Sequence, residues 1–406
     1  MFDPSVRRVS LHFDASSVVT VRAPQEVAAE QTVRETVNVV IDAIVSTFQR
    51  LLELPLVGVL AGSVVGALVL WGIAWWRARR AGRPWFVRSL RFAGWLLIVA
   101  ALLFAIDRRL AREQERVQQL REQMIVATCA GLERLQQHGL VRAAPLVDVI
   151  AAGAALQPTF PGMRLRSVAL DDAVDLVLFE GRQPPLAGAL AVVDLRHESI
   201  EIAMDADFAT KTMTAGFGRA FGCTVAINGE AGNSPQPNCG LGRWTGHLRI
   251  AGRQVLREQA GNPRPFLCFD REHRARFVAA SSAARELRAE DHDVIWGRMD
   301  AIVDGVVQTE AWRFNQPRTV MGIDRAGERL FLLVVDGRQP KRSYGFTRPQ
   351  VGAFLRAFGV HDAMLCDEGG SACMYADAFG GLVTTPSDNQ GEERPTYTHF
   401  GIVRRH

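Results

Sequence analysis

Two adjacent carboxylates and a pair of glycines follow an apolar run near the C-terminus. Residues 365–374 read LCDEGGSACM, and the polar part of this segment consists of Asp367, Glu368, Gly369, Gly370 and Ser371. Consecutive glycines let backbone N–H groups turn toward one point, which suits a phosphate or carboxylate ligand. Neighbouring carboxylates can act as nucleophile or base, or bind a metal or sugar hydroxyls. Taken alone, a segment of this kind is more often a plain surface loop.

The elements around this segment predict where it lies. Residues 329–338, RLFLLVVDGR, form an apolar strand of the kind buried on both faces, which ends in Asp336-Gly337-Arg338. Thr347 and Gln350 then have the spacing of a helix capping box, and DAMLCD follows as a second strand. A strand, helix and strand of this length predict a βαβ unit whose parallel strands end at one edge of a sheet. Asp336 and Asp367 should therefore face one crevice.

Two arginines are expected beside the same crevice. Arg338 follows the first strand, and Arg318 begins a strand in NQPRTVMGID just upstream. Arginine binds phosphate in a bidentate manner, so the pair could hold a phosphate group. The alternative for each arginine is a structural ion pair with Asp336 or Asp367.

Five blocks in this order resemble the phosphodiester glycosidase family. They are AINGEAG (226–232), PRTVMGID (317–324), LLVVDGRQ (332–339), LCDEGGSACM (365–374) and TTPSDNQGEERPTYTHFGIV (384–403). The resemblance covers residues 185–405. Two departures lie in the expected crevice: Glu368 stands where the family pattern has glycine, and Glu230-Ala231-Gly232 stand where aromatic residues usually follow Asn-Gly.

The resemblance implies a reaction and a set of site residues. The reaction is hydrolysis of the bond between the anomeric carbon of a sugar and a phosphodiester on an envelope or extracellular glycan. The implied catalytic residues are Asp367, Asp336 and Arg338. The implied substrate-binding residues are Asn228, Gly229, Arg318, Thr319, Gly369, Gly370, Ser371 and Arg394.

Several roles stay open at this stage. Arg318, Arg338 and the amides of Gly369 and Gly370 would hold the phosphate, while Asp367 or Asp336 activates water or attacks the sugar carbon. On this hypothesis Arg318→Ala abolishes turnover and leaves the fold intact. A non-catalytic domain that senses sugar phosphates or polysaccharides at the outer face of a membrane is an alternative. A structural or assembly factor of the membrane is another.

No cofactor is expected, although a divalent cation could bind Glu368 together with Asp367. The nine histidines show no HxxxH or HExxH spacing, which argues against catalytic zinc. The six cysteines show no CxxC spacing. Outside the cytoplasm Cys223 could pair with Cys239, and Cys366 with Cys373; buried free thiols are the alternative.

Two apolar runs predict a membrane hairpin ahead of this domain. Residues 54–76 contain no charge over 23 residues, about 34 Å of helix, and residues 92–106 form a shorter run of 15. The turn between them carries six arginines and no acid, which predicts that it lies in the cytoplasm. The chain should then be an integral membrane protein that contacts the lipid bilayer, with its C-terminal domain on the periplasmic or extracellular side.

The resulting fold class is an α+β catalytic domain, with a mixed β-sheet and a βαβ unit, preceded by an all-α two-helix membrane hairpin. The expected domains are an N-terminal segment with an amphipathic helix (1–53), the hairpin (54–106), a stalk helix and linker (107–184) and the glycosidase-like domain (185–406).

The net charge and the spacing of small residues indicate which partners to expect. The formal net charge is +4, and without the six arginines of the turn it is 4 − 6 = −2, so nucleic acid is not an expected partner. Gly58, Gly62 and Gly66 recur at the spacing that lets membrane helices approach closely. They could pack the hairpin together or form a homo-oligomer.

Overall fold

The computed structural model describes residues 86–137, 145–205, 211–229, 246–257, 263–282, 285–308 and 314–405. The chain divides into two compact units, Met1–Val117 and Gln118–His406. The described residues of the first unit, 86–117, belong to one helix. The second unit contains the described strands and the candidate site.

Four α-helices occur in the described part of the chain. They are α1 (Phe86–Gln137), α2 (Val149–Leu156), α3 (Thr214–Phe221) and α4 (Arg348–Ala357). Helix α4 begins at the predicted capping box, because the Thr347 hydroxyl accepts from Gln350 N and the Gln350 side chain accepts from Thr347 N. Helix α3 ends at Gly222, whose φ of 64° is left-handed.

The described strands of the second unit form three antiparallel sheets. The largest, in the order β1-β2-β3-β14-β13-β15-β11-β12, contains β1 (Arg164–Ala169), β2 (Val174–Arg182), β3 (Pro185–Asp194), β11 (Met299–Val303), β12 (Val306–Val307), β13 (Arg318–Ile323), β14 (Arg329–Val335) and β15 (Asp362–Glu368). The second, in the order β7-β6-β10-β8-β9, contains β6 (Leu248–Ile250), β7 (Arg253–Leu256), β8 (Phe266–Phe269), β9 (Ala275–Val278) and β10 (Asp293–Trp296). The third, in the order β17-β16-β5-β18-β4, contains β4 (Ile200–Asp205), β5 (Cys223–Asn228), β16 (Met374–Ala376), β17 (Gly381–Leu382) and β18 (His399–Arg404).

The core lies on both faces of the largest sheet. On one face Phe346, Phe354 and Leu156 pack with side chains of β13 and β14, which places α2 and α4 there. On the other face Leu332 and Met321 belong to a cluster shared with the other two sheets. Burial on both faces explains why β14 is a continuous apolar run.

The predicted fold class was wrong. The described part of the chain is mostly β-sheet with few helices, and each recorded strand pairing in the largest sheet is antiparallel. Strand β13 lies between β14 and β15 and pairs with both, so the two strands of the expected βαβ unit are not neighbours. The sequence pattern could not reveal this insertion, because β13 precedes both strands in the chain.

The predicted membrane hairpin is also not supported. No helix among the described residues is long and apolar enough to cross a membrane. The run at 92–106 lies within α1, which continues into the charged stretch that begins with Asp107 and Arg108. The run at 54–76, the N-terminal amphipathic helix and Gly58, Gly62 and Gly66 lie outside the described residues. The predicted outer location of the C-terminal domain depended on the hairpin and stays a prediction.

The strands begin upstream of residue 185, where the domain was expected to start. Strands β1 and β2 form one side of the largest sheet, and β2 pairs with β3 along its full length. Part of α1 contacts the same unit, since Arg121 donates to Leu382 O at 2.7 Å. Residues 118–137 therefore contact the third sheet through at least one partly buried hydrogen bond.

Candidate functional site

The ends of four strands meet at one edge of the largest sheet. Arg318, the first residue of β13, stands opposite Val335 at the end of β14 and opposite Glu368 at the end of β15. Strand β5 of the third sheet reaches the same place, because Asn228 contacts both Thr319 and Asp367. The antiparallel β13 thus contributes its first residues where β14 and β15 contribute their last.

A β-bulge sets the direction of the two carboxylates. Val320 pairs with Leu365 but Arg318 pairs with Glu368, so two residues of β15 stand opposite Thr319 alone. Glu368 consequently shares a face of the sheet with Arg318. Asp367 is directed to the other side, toward Thr319 and Asn228.

Asp367 is a buried carboxylate held by three donors. The residue is 3% exposed. Ser371 Oγ donates to Oδ2, Asn228 Nδ2 donates to Oδ2 at 3.4 Å, and Glu368 N donates to Oδ1 at 2.8 Å. Its orientation is therefore fixed by the loop that follows it and by β5.

Asn228 is itself oriented by two donors. Thr319 Oγ1 and Cys373 N donate to Asn228 Oδ1 at 2.8 and 3.1 Å. With the oxygen engaged on that side, the amide nitrogen is directed at Asp367. Asn228, Thr319, Asp367 and Ser371, which sequence analysis assigned to one site, belong to one hydrogen-bonded network.

Burial raises the pKa of Asp367 to about 6. The hydrogen bond from Ser371 and the positive charges of Arg394 and Arg298 oppose this effect, while Asp388 adds to it. A carboxyl with a pKa near 6 changes protonation state close to neutral pH, which suits a group that takes part in proton transfer or attack.

Gly369 and Gly370 allow two charged side chains to approach the loop. Gly369 has a φ of 99°, and a Cβ there would lie 3.2 Å from Arg338 Nη1. A Cβ at Gly370 would overlap the carboxylate of Asp388, which pairs with Arg394 at 2.9 Å. The left-handed φ of Gly369 therefore favours glycine, and at position 370 a larger residue would displace the carboxylate of Asp388.

Three exposed arginines surround Asp367 and this loop. Arg338 lies against Gly369, and Arg298 and Arg394 both act on the pKa of Asp367. All three are exposed residues. They form the cationic part of the candidate site that solvent and a ligand can reach.

Arg318 is placed differently from its predicted role. It is fully buried, its Nε donates to Phe346 O at 3.1 Å, and its Nη2 donates to Phe314 O at 3.0 Å. Its Nη1 contacts Glu368, which also pairs with Arg348 at 3.3 Å. Because its donors are engaged inside the protein, Arg318→Ala should perturb the fold, contrary to the expectation from sequence.

The position of Asp336 also differs from that expected for its predicted catalytic role. Its side chain is fully buried, pairs with Arg342 Nε at 2.8 Å and accepts from Thr385 N at 2.7 Å. Burial lowers the pKa of Arg342, but Asp336 outweighs that effect and the pKa is raised. The groups that act most on Asp367 are Ser371, Arg394, Arg298 and Asp388. Asp336 therefore serves a buried ion pair under α1, where Glu122 also contacts Arg342 at 3.0 Å.

Gly229 lies at the end of β5 against β18. Its N–H donates to Thr398 O at 2.8 Å, and a Cβ there would lie 2.7 Å from Thr398 Oγ1. The close approach of the two backbones explains the glycine. Residues 230–232, the second departure from the family pattern, lie outside the described residues.

Glu368 and Asp367 do not share a cation-binding geometry, since Glu368 contacts two arginines and Asp367 is bonded to Ser371 and Asn228. Among the described residues, three groups that could hold a metal are Asp304, His361 and Asp362, at the start of β15. Both carboxylate oxygens of Asp362 are already engaged there. Cys223 and Cys373 are free thiols, so neither predicted disulfide is formed.

Sequence reasoning missed Arg298, Arg348 and Asp388. Arg298 lies in the turn between β10 and β11, far from every quoted block, so only the fold brings it near Asp367. Arg348 was inside the predicted helix start and was given no role. Asp388 was inside the closing block, and its proximity to the Gly-Gly loop had no sequence signal.

The comparisons with known proteins agree with the motif blocks. Residues 221–403 match the sequence model of the phosphodiester glycosidase family. The C-terminal half of the chain is a phosphodiester glycosidase domain. This confirms the resemblance inferred from the five blocks, all of which lie within the matched residues. The domain is that of a glycosidase-type enzyme, a hydrolase of phosphodiester-linked sugars.

Three solved structures are similar to this chain. The catalytic domain of zebrafish N-acetylglucosamine-1-phosphodiester alpha-N-acetylglucosaminidase, auto-inhibited by its pro-peptide, is 18% identical with a TM-score of 0.46, over 60% of this chain and 89% of that one. A hypothetical protein from Synechocystis is 9% identical with a TM-score of 0.45, over 60% and 64%. A putative exported protein from Burkholderia pseudomallei is 14% identical with a TM-score of 0.38, over 54% and 74%. No curated protein matches the chain in sequence.

Proposed function

We propose that this domain hydrolyses the bond between the anomeric carbon of a sugar and a phosphodiester, with Asp367 as the reactive carboxylate. The observation that carries the proposal is the placement of Asp367. It is buried, held by Asn228 and Ser371, and adjacent to a glycine loop with exposed arginines around it. The predicted envelope or extracellular source of the substrate stays a prediction.

The proposed reaction breaks the bond from the anomeric carbon to the bridging oxygen. Water supplies the hydroxyl of the released sugar, the phosphate keeps the bridging oxygen as a phosphomonoester, and one proton is released. A phosphate leaves readily as an anion, so stabilisation of its charge matters more than its protonation. Arg298, Arg338 and Arg394 are the exposed cations that can supply it.

Asp367 acts in its ionised form, as base toward water or as nucleophile toward the anomeric carbon. The charge of Asp388 raises the pKa of Asp367, and Asp388 is paired with Arg394. We assign Asp388 the role of positioning the side chain of Arg394. Asp336 takes no part in this scheme, because it is enclosed with Arg342.

The pH dependence of kcat/KM should show an acid limb. Because burial raises the pKa of Asp367 to about 6, its carboxylate is lost as the pH falls below that value. The rate constant kcat/KM should then fall about tenfold for each pH unit below 6. Initial rates of sugar release between pH 4 and pH 8 measure this, and a flat profile down to pH 4.5 would contradict the role of Asp367.

Arg394→Ala should lower kcat by about 10²-fold, because one contact that stabilises the departing phosphate is lost. Steady-state rates on a sugar-1-phosphodiester measure the effect. Arg405→Ala is the matched control, since Arg405 also forms an ion pair, with Glu201 at 3.1 Å, on the exposed surface. Equal rates for the Arg394 and Arg405 variants would remove Arg394 from the site.

A further inference from the structure

Glu368 is a buried carboxylate that contacts two buried arginines. Its side chain is 8% exposed, and it pairs with Arg348 at 3.3 Å and with the Nη1 of Arg318. The side chains of Arg318 and Arg348 are 0% and 9% exposed. Glu368 therefore supplies the negative charge that these two buried guanidinium groups contact directly.

The surroundings of this pair carry additional positive charge. Burial, followed by Arg348, Arg298 and Arg338, lowers the pKa of Arg318 to about 9. Burial, followed by Arg298, lowers the pKa of Arg348 to about 10. Three other arginines thus repel the buried guanidinium of Arg318, which contacts Glu368.

The same arginines connect Glu368 to the reactive carboxylate. The positive charge of Arg298 lowers the pKa of Asp367 as well as the pKa values of Arg318 and Arg348. The positive charge of Arg338 lowers the pKa of Arg318, and the Arg338 side chain lies against Gly369, the residue that follows Glu368. A change of charge at Glu368 must consequently alter the potential where the phosphate of a substrate would bind.

We propose that Glu368 sets the charge preference of the site, because it weakens the binding of a doubly charged phosphomonoester more than that of a singly charged phosphodiester. The inference rests on the proposed function, in which the first is substrate and the second is product. Glu368 neutralises part of the positive charge of the arginines, so the site attracts each negative charge of a bound phosphate less strongly than it would with a neutral residue at position 368. The second negative charge of a phosphomonoester therefore adds less binding free energy at this site, which favours release of the product.

Binding of two small probes to the purified full-length chain tests the proposal. Dimethyl phosphate carries one negative charge, and methyl phosphate carries close to two at pH 8, because the second pKa of a phosphomonoester is about 6. Isothermal titration calorimetry gives both dissociation constants. Glu368→Gln should lower the dissociation constant of methyl phosphate about tenfold more than that of dimethyl phosphate. The reason is that methyl phosphate carries one more negative charge, and the variant has lost the negative charge that repels it.

Two variants separate charge from shape. Glu368→Asp keeps the charge and should leave the ratio of the two dissociation constants within about threefold of the wild type. Arg348→Gln should shift the ratio in the opposite direction, and it provides the test if Glu368→Gln does not fold. Glu201→Gln, in the exposed pair with Arg405, is the control and should leave the ratio unchanged.

An unchanged ratio in Glu368→Gln, or in Arg348→Gln, would overturn the proposal, as would failure of methyl phosphate to bind Glu368→Gln. Sugar release is measured on the same preparations. Sugar release with an unchanged ratio defeats the role of Glu368 alone. A shifted ratio without sugar release supports the charge preference and defeats the proposed hydrolysis.

Discussion

Asp367→Asn is expected to lower kcat/KM for a sugar-1-phosphodiester by about 10²- to 10⁴-fold. Asparagine preserves the size of the side chain. With its amide oxygen accepting from Glu368 N, its amide nitrogen can donate to Ser371 Oγ, so the loop should be retained. What is lost is the carboxylate that activates water or attacks the anomeric carbon. Steady-state release of the sugar measures the loss.

The unfolding midpoint provides the control for this variant. The folded-state pKa of Asp367 is raised, so its ionisation opposes folding as the pH rises through about 6. Asp367→Asn removes that cost and should raise the thermal midpoint at pH 8, but not below pH 4. Asp324→Asn, a buried aspartate paired with Arg329 at the opposite end of β13, should keep full activity. An inactive Asp324→Asn or a fully active Asp367→Asn would contradict the assignment.

Asp336→Asn is expected to lower the free energy of unfolding by about 3 kcal/mol, because it removes the buried partner of Arg342 and leaves that guanidinium with the exposed carboxylate of Glu122. The affected partner is Arg342, whose side chain is 18% exposed. A thermal midpoint lower by about 6 °C or more should follow. The rate per folded molecule should stay within about threefold of the wild type, because Asp336 touches no proposed reacting group.

Asp172→Asn is the matched control for Asp336. Asp172 pairs with Arg404 at 3.2 Å, but both side chains are more than a third exposed. Loss of an exposed pair of this kind should change the midpoint little. An unaltered midpoint for Asp336→Asn would show that the buried pair contributes no stability, and a large loss of rate per folded molecule would return Asp336 to the catalytic site.

Local sequence patterns predicted the elements that depend on neighbours along the chain. The apolar run of β14 and the capping box of α4 are present where expected, because burial on both faces and a Thr–Gln pair leave direct marks in the sequence. The ends of β14 and β15 do lie at one edge, but the reason is that β13 runs antiparallel to both and places Arg318 beside Val335 and Glu368. The pairing between strands left no such mark, and β13 separates β14 from β15.

The roles of individual charged residues were harder to predict. Asp336 and Arg318 lie at the expected edge, yet one is held by Arg342 and the other by Glu368 and two carbonyl groups. The direction of a side chain at the end of a strand depends on which face of the sheet it occupies and, here, on the bulge between β13 and β15. Neither can be recognised from a sequence motif. The membrane hairpin was read from hydropathy alone, and no described helix supports it.

The most direct test of the proposed function asks which bond is broken. The purified full-length chain is given a sugar-1-phosphodiester in water enriched in ¹⁸O, and the phosphomonoester is examined for the label by the isotope shift in ³¹P NMR. Attack at the anomeric carbon leaves the bridging oxygen on the phosphate, so the phosphomonoester should contain no ¹⁸O while sugar is released. A labelled phosphate would show cleavage at phosphorus, and binding without any release of sugar would show a non-catalytic domain; either result would contradict the function proposed for Asp367.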